Sequence, residues 1–140
     1  MKILLPVDGS SYTKHMLAYV AAHDELLGPG HEYTALTVVT PISAYASRFL
    51  DRATLDGYYH EQAEQVLEPV RAFATQQGWK LRTLQLQGHP ADEIAAFAAE
   101  DKTELIVMGT HGHTSLGNVV LGSVATGVLA RTKAPVLLVR

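Results

Sequence analysis

The sequence predicts an α/β fold in which an open, five-stranded parallel sheet carries helices on both faces. Short continuous apolar runs, among them Ile3 to Val7 and Leu105 to Met108, are typical of strands that are buried on both faces. Stretches with helical spacing of apolar residues separate these runs, and breakers such as Gly28-Pro29-Gly30 end them. Because right-handed crossovers place helices above and below a parallel sheet, the alternation βαβαβαβαβ predicts this architecture.

The chain begins with a predicted strand, helix and second strand. Ile3 to Val7 forms the first strand, and Ser10 or Ser11 caps a helix that stops before Gly28. The β-branched and apolar run from Tyr33 to Val39 forms the second strand.

A long helix and an edge strand are predicted next. The helical pattern begins at Asp51 and ends at Gly78, and Pro69 inside it predicts a kink near residues 65–68. Polar and apolar residues alternate from Lys80 to Leu86, as expected of a third strand near the sheet edge.

The last third of the chain contains two helices and two strands. His89-Pro90 opens a helix, because proline is tolerated in a first turn. Leu105 to Met108 is the fourth strand, and a glycine-rich loop follows it. A helix from about Ser123 to Arg131 and a fifth strand from Pro135 to Val139 complete the pattern.

The composition limits the class of protein. A length of 140 residues suffices for one substantial core, so we expect a single domain over residues 1–140. The net charge of −3 argues against general binding to nucleic acid or anionic membranes. The absence of cysteine excludes disulfides and zinc-thiolate sites. No apolar run reaches the roughly 20 residues that span a bilayer, and the start does not resemble a signal peptide, so we expect a cytoplasmic protein.

Two segments with unusual residues follow predicted strands. Pro6 to Ser10 comes after the first strand, and Met108 to Gly112 comes after the fourth. In open parallel sheets, ligands bind beyond the carboxyl ends of the strands, where the strand order reverses. If the order reverses between these two strands, both segments flank one crevice.

The second segment belongs to a longer glycine-spaced pattern, Gly109-x2-Gly112-x9-Gly122-Ser123. Gly109 and Gly112 allow close backbone approach to a ligand, and Gly122-Ser123 opens a helix whose free N–H groups favour an anion. The pattern is neither a P-loop, which requires a lysine, nor a dinucleotide-binding fingerprint. Each part also has an ordinary interpretation: a tight turn at Gly109 and Gly112, an N-cap at Ser123, and helix capping by Asp8.

The sequence resembles universal stress proteins over essentially its whole length. The resemblance is carried by four segments: Ile3-Leu4-Leu5-Pro6-Val7-Asp8-Gly9-Ser10, Leu105-Ile106-Val107-Met108-Gly109-Thr110-His111-Gly112, Leu121-Gly122-Ser123-Val124-Ala125 and Ala134-Pro135-Val136-Leu137-Leu138-Val139. The complete glycine-spaced pattern resembles that of the ATP-binding branch. The resemblance implies the strand order 3-2-1-4-5 of adenine nucleotide alpha hydrolase-like folds and a homodimer paired through the C-terminal strand.

The same resemblance implies a set of nucleotide-binding residues. Those expected around the adenosine are Pro6, Val7, Asp8, Val38, Met108 and Gly109. Those expected at the phosphates are Gly112, Gly122, Ser123, Val124 and Thr126. The implied ligand is ATP, with AMP or ADP as alternatives and Mg²⁺ as a companion ion.

One position departs from the family pattern. His113 stands where arginine or lysine is frequent, and a neutral imidazole neutralises less phosphate charge at pH 7. This departure makes AMP and ADP reasonable ligands. His111 and His113 are spaced to chelate a metal ion, but no third ligand is evident, so no metal site is predicted.

Three functions remain open from the sequence. The first is a dimeric adenine-nucleotide-binding regulatory protein of the stress response that acts on an unknown protein partner. The second is a weak ATPase or phosphotransferase, in which Asp8 holds Mg²⁺ or orients water and His111 is the least poor base. The third is an interaction scaffold with a vestigial nucleotide pocket. The aromatic residues Tyr45, Phe49, Tyr58 and Tyr59 either pack onto the sheet or form a lid or partner surface.

Overall fold

The computed structural model describes residues 1–113 and 118–140. Its elements alternate between strands and helices as the sequence predicts. In chain order they are β1 (Lys2–Pro6), α1 (Ser11–Ala22), α2 (Asp24–Leu27), β2 (Glu32–Val39), α3 (Ala44–Ser47), α4 (Arg52–Gln77), β3 (Lys80–Gln87), α5 (Pro90–Glu100), β4 (Leu105–Gly109), α6 (Ser123–Arg131) and β5 (Val136–Val139).

The five strands form one parallel sheet in the order β3-β2-β1-β4-β5. β1 lies at the centre, where Ile3 is in register with Tyr33 of β2 and with Leu105 of β4. The chain first builds the sheet outward through β2 and β3 and then returns to the other side of β1. The order therefore reverses between β1 and β4, as the family resemblance implies.

Two apolar layers cover the sheet, one on each face. Side chains alternate across β1, so that Leu5 packs with Met16 of α1 and Leu67 of α4, whereas Leu4 packs with Ile94 of α5 on the opposite face. All five side chains are almost fully buried. A strand with apolar residues on both faces is the reason for the continuous apolar runs in the sequence.

The first predicted helix is divided into two. α1 ends at Ala22, and α2 begins at Asp24 after His23, whose backbone leaves the helical region at φ −120° and ψ 52°. The ring Nδ1 of His23 lies 2.7 Å from the carbonyl oxygen of Tyr19, one turn earlier. A side chain that bonds to the backbone in this way competes with continuation of the helix.

The long helix α4 begins and ends as predicted. The Asp51 carboxylate accepts a hydrogen bond from the Thr54 backbone N–H at 2.7 Å, and this bond lowers the pKa of Asp51. Gly78 ends the helix in the left-handed region at φ 72°. The helix is continuous through Pro69, and the kink expected near residues 65–68 stays a prediction.

The aromatic residues around the second crossover do not all pack onto the sheet. Tyr59 is 5% exposed, and its hydroxyl accepts a hydrogen bond from the Ile42 backbone N–H. Tyr45 and Phe49 are 67% and 72% exposed, so the interpretation of the cluster as a packed loop and helix is wrong for them. Among the described residues, no helix combines the length and hydropathy of a membrane span.

Candidate functional site

A cavity of about 430 Å³ opens at the carboxyl end of the sheet, where the strand order reverses. It gathers ten of the eleven residues that the sequence indicated as nucleotide-binding. These are Pro6, Val7, Asp8, Val38, Met108, Gly109, Gly112, Gly122, Ser123 and Val124. The two segments expected to flank one crevice therefore do so. The spacer between Gly112 and Gly122 includes residues 114–117, which lie outside the described residues.

Thr126 is the predicted residue that lies outside the cavity. Its side chain is exposed, and its hydroxyl donates to the carbonyl oxygen of Gly122, one turn earlier, at 2.9 Å. Local bonding of this kind is common for threonine in helices. The expected phosphate contact from Thr126 therefore has no support from its position.

One wall of the cavity is apolar. Val38 and Met108 come from the ends of β2 and β4, and Leu36, Pro90 and Ile94 complete the surface. The last three were missed from the sequence. Their apolar character predicted burial, but only the crossing of α5 over the sheet brings Pro90 and Ile94 to this end. An apolar wall of this kind suits a planar base.

Asp8 connects the β1 loop to the start of α1. Its Oδ1 accepts hydrogen bonds from the Ser10 backbone N–H at 2.9 Å and from the Thr13 hydroxyl at 3.0 Å. The intervening Gly9 lies in the left-handed region at φ 77°. Ser10 occupies the N-cap position, yet its buried hydroxyl has no partner in the described part of the chain. Asp8 therefore fixes the loop before α1 and lines the cavity, but the expected helix capping is wrong, because its carboxylate bonds to the Ser10 N–H and the Thr13 hydroxyl rather than to an N–H group of the first turn of α1.

The two loop glycines permit contacts within the protein. A Cβ on Gly109 would lie 2.7 Å from the Cβ of Tyr12, and one on Gly112 would lie 2.5 Å from Oδ2 of Asp8. Both distances are too short for any real side chain. The sequence indicated that these glycines admit a ligand, whereas the structure shows α1 and the β1 loop in that space. Because neither glycine has a side chain, the loop after β4 can lie against α1 and the β1 loop, which form the other side of the cavity.

The N-terminus of α6 faces the cavity with free hydrogen-bond donors. The Gly122 N–H donates to the carbonyl oxygen of Thr110 at 2.8 Å, and the Thr126 N–H donates to that of Gly122 at 3.0 Å. Between them, the N–H groups of Ser123, Val124 and Ala125 have no acceptor among the described residues. Gly122 has no side chain that caps them. Such a helix end favours an anion through its N–H groups and its dipole.

Two histidines complete the polar side of the cavity. His111 lies between the Thr110 hydroxyl, 2.8 Å from Nδ1, and the carbonyl oxygen of Val119, 2.7 Å from Nε2. His113 donates from Nε2 to the carbonyl oxygen of Asp8 at 2.6 Å. These bonds aim the two rings at different partners, so the pair is not arranged as a chelate. No three His, Cys, Asp or Glu residues come together in residues 1–113 and 118–140.

A second cavity, of about 380 Å³, lies at the amino end of the sheet. Three of its charged residues are joined by hydrogen bonds. The Arg82 guanidinium is 3.2 Å from Asp101 and 3.1 Å from the Thr34 hydroxyl, and the ammonium of Lys2 is 3.2 Å from the Asp101 carbonyl oxygen.

The sequence is similar to known proteins over its whole length. A model of the universal stress protein family matches residues 1–140. Universal stress protein MJ0531 of Methanocaldococcus jannaschii is 34% identical over 145 residues, which cover 99% of this chain and 81% of that protein. A universal stress protein of Thermus aquaticus is 35% identical over 139 residues, which cover 99% of this chain and 97% of that protein.

Solved structures share the same fold. Protein MJ0577 of M. jannaschii superposes with a TM-score of 0.83 at 30% identity, covering 99% of this chain and 94% of that chain. The universal stress protein of Archaeoglobus fulgidus in complex with dAMP has a TM-score of 0.71 at 21% identity, covering 100% and 98%. A universal stress protein family protein of Arabidopsis thaliana with AMP bound has a TM-score of 0.71 at 16% identity, covering 99% and 90%.

The two structures with 21% and 16% identity show a shared fold alone. The family match is of a different kind, because it rests on the sequence of the whole chain and on relatives more than 30% identical over most of their own length. The chain belongs to the universal stress protein family.

Proposed function

We propose that the chain binds an adenine nucleotide, ATP or its products ADP and AMP, and acts as a regulatory module of the stress response. The observation that carries this proposal is the cavity at the strand-order reversal, which combines an apolar slot with three free N–H groups at the start of α6. The slot suits the base, and the helix end suits a phosphate. Relatives of the same fold are known with AMP and dAMP, which supports the choice of nucleotide.

The residues present fit such a ligand. Val38 and Met108 would contact the base, Asp8 the ribose, and the N-terminal turn of α6 the phosphate. Mg²⁺, which prefers carboxylate and phosphate oxygens, would find one carboxylate here, that of Asp8. The alternative of a weak ATPase gains no support from His111, since Thr110 and Val119 already bond to both of its ring nitrogens.

Thermal unfolding with and without nucleotide tests the proposal. A ligand that binds only the folded state raises both the free energy of unfolding and the midpoint temperature. At a ligand concentration one hundred times Kd, the free energy of unfolding rises by about 2.7 kcal/mol. We expect a rise with millimolar AMP, ADP or ATP and none with millimolar ribose. Absence of any shift with all three nucleotides would refute the proposal and favour a scaffold with a vestigial pocket.

We also propose a homodimer that pairs two copies of β5. The sheet has two edges, β3 and β5. β3 carries the charged residues Lys80 and Arg82 and ends with Gln85 and Gln87, and charged residues protect an edge strand from pairing. The sequence of β5, Val136–Val139, is entirely apolar. Sedimentation analysis should give twice the chain mass, and a monomer at micromolar concentration would contradict this pairing.

The cellular context completes the proposal. We expect the protein in the cytoplasm, where adenine nucleotides are abundant, and acting on a protein partner whose identity the cavity does not specify. Fractionation of cells, with detection of the chain by antibody, tests the compartment.

A further inference from the structure

Thr13 is a buried polar residue at the proposed nucleotide cavity. It is the third residue of α1, is 6% exposed, and lines the cavity together with Asp8. A buried hydroxyl costs stability unless it is hydrogen-bonded. In the described part of the chain, both hydrogen bonds of the Thr13 hydroxyl are to Asp8. The fold therefore uses this side chain to hold a residue of the site.

The two residues are joined by a reciprocal pair of hydrogen bonds. The Asp8 backbone N–H donates to Oγ1 of Thr13 at 3.1 Å, and the Thr13 hydroxyl donates to Oδ1 of Asp8 at 3.0 Å. One bond holds the main chain of Asp8 and the other holds its side chain, so the pair restricts rotation of the carboxylate. A β-branched side chain in a helix has few rotamers, so Thr13 is itself a rigid partner.

These bonds decide which carboxylate oxygen of Asp8 is available to a ligand. Oδ1 accepts from the Thr13 hydroxyl and also from the Ser10 backbone N–H at 2.9 Å. Oδ2 lies beside the loop after β4, because a Cβ added to Gly112 would lie 2.5 Å from it. Gly112 lines the same cavity. Oδ1 is therefore bonded to α1 and the residue before it, whereas Oδ2 lies on the cavity side.

We propose that Thr13 is a positioning residue of the nucleotide site. It holds the Asp8 carboxylate so that Oδ2 accepts a hydrogen bond from a ribose hydroxyl. The inference rests on the proposed function, in which Asp8 contacts the ribose. A carboxylate that is already oriented loses little freedom when the ligand binds, and this favours a ligand that carries the hydroxyl. Thr13 thus sets how strongly the site prefers a ribonucleotide over one whose sugar lacks hydroxyls.

Calorimetric titration with AMP and with its dideoxy analogue, whose sugar lacks both hydroxyls, tests the inference. We expect the wild-type chain to bind AMP at least about tenfold more tightly, because the analogue cannot donate to the charged carboxylate. Thr13→Val keeps the branched shape and removes the hydroxyl. It should lower the preference for AMP by about threefold, the equivalent of one side chain that must be ordered on binding.

The ratio of the two affinities distinguishes positioning from a merely structural role. Thr13→Val should weaken the binding of AMP and leave that of the dideoxy analogue close to wild type. A general disturbance of the cavity would weaken both ligands equally and leave the ratio unchanged. That outcome would contradict the positioning role.

Two variants serve as controls for Thr13→Val. Thr13→Ser retains the hydroxyl and should keep the wild-type preference. Thr34 is a second buried threonine, 7% exposed at the amino end of the sheet, and its hydroxyl accepts from Arg82 at 3.1 Å. Thr34→Val should leave the ratio at its wild-type value. An equal fall of the ratio in Thr13→Val and Thr34→Val would overturn the role of Thr13.

A double variant shows whether Thr13 acts through Asp8. Asp8→Ala should remove the preference for AMP over the dideoxy analogue. Adding Thr13→Val to Asp8→Ala should then leave the ratio unchanged, because the group that Thr13 positions is already absent. A further change of the ratio in the double variant would show that Thr13 acts on the ligand by another route.

The remaining outcomes separate this inference from the proposed function. If the wild-type chain binds AMP and the dideoxy analogue equally well, the inference is wrong while the proposed function stands. If neither ligand binds, the proposed function itself fails. The wild-type ratio requires no variant, so the inference can be refuted even if every substitution at Thr13 misfolds.

Discussion

The two ends of the parallel sheet carry cavities of similar volume, about 430 Å³ at the carboxyl end and about 380 Å³ at the amino end. Their polar groups differ. At the amino end, Arg82 and Lys2 both bond to Asp101. At the carboxyl end, three N–H groups of α6 have no partner among the described residues. The comparison teaches that free hydrogen-bonding capacity, rather than volume, distinguishes a candidate site.

The side chains that line the two cavities also differ in polarity. The carboxyl-end cavity has an apolar side formed by Val38, Met108 and Ile94, whereas the amino-end cavity is lined by Lys2, Glu32, Lys80, Arg82 and Asp101 among others. A planar base needs an apolar surface, and a phosphate needs free donors. Only the carboxyl-end cavity combines the two in the part of the chain that the structure describes.

The largest expected effect comes from a methyl group at the carboxyl end. In Gly109→Ala, the new Cβ would lie 2.7 Å from the Cβ of Tyr12, which is fixed to the backbone of α1. We expect a loss of about 1–3 kcal/mol in unfolding free energy from overpacking, together with weaker nucleotide binding. Urea denaturation and calorimetry measure the two effects.

A glycine at the amino end provides the control. Gly30 precedes β2, and a Cβ there would meet nothing within 4 Å. Gly30→Ala should therefore leave stability and nucleotide binding close to wild type. Equal losses for Gly30→Ala and Gly109→Ala would show that the close contact at the carboxyl end is unimportant.

The next effect concerns a buried phenol near the amino end. Tyr33 is 1% exposed, its hydroxyl donates to the carbonyl oxygens of Leu27 and Gly28, and burial raises its pKa from 10.0 to about 12. Tyr33→Phe leaves both carbonyls without this donor, which costs about 1–3 kcal/mol. Nucleotide binding should not change.

The raised pKa of Tyr33 also predicts a pH dependence. Well below pH 10 the phenol is neutral in both the folded and the unfolded chain. Between pH 10 and about 12 it ionises first in the unfolded chain, so the contribution of Tyr33 to stability is lost as pH rises through this window. Urea denaturation between pH 9 and pH 11 should show this slope in wild type, and Tyr33→Phe should reduce it.

A smaller effect is expected from removal of one N–H at the start of α6. Proline is tolerated at the first position of a helix, and Gly122 before it already has the extended backbone that proline requires. Ser123→Pro should therefore fold but bind AMP about tenfold less tightly, the equivalent of one bond to a charged group. Ser123→Ala, which loses the hydroxyl and keeps the N–H, is the control. If Ser123→Ala and Ser123→Pro bind AMP equally well, the backbone donor is not used.

The smallest effect is expected from the ion pair at the amino end. Arg82 is more than half exposed, and pairs of this kind contribute about 0.2–1 kcal/mol. Asp101→Asn should lower stability within that range and leave nucleotide affinity unchanged. A large change in affinity would remove the distinction between the two ends of the sheet.

The sequence predicted the strands to within one or two residues and most helix ends. Continuous apolar runs indicate buried parallel strands, and Asp51 and Gly78 bracket α4 through chemistry that is local in sequence. The break at His23 was missed because it depends on a bond from the His23 ring to the backbone. The helical spacing of apolar residues gives no indication of such a bond.

The candidate site was predicted in the same uneven way. Residues at strand ends, such as Asp8 and Met108, could be identified because parallel strands end at one edge. Pro90 and Ile94 could not, since their apolar character indicates burial without saying beside which loop. Thr126 was expected at the phosphates, but its hydroxyl bonds to the carbonyl oxygen of Gly122, one turn earlier.

The sequence alone therefore determined the five strands, the bounds of α4 and the likeness of its glycine-spaced pattern to that of a family. Those properties depend on residues close together in the chain. Only the tertiary structure decided that Tyr12 and Asp8 occupy the space beside Gly109 and Gly112, and that His113 bonds to the β1 loop. These contacts join residues up to 105 positions apart, and such pairs meet only when the sheet has brought β1 and β4 side by side.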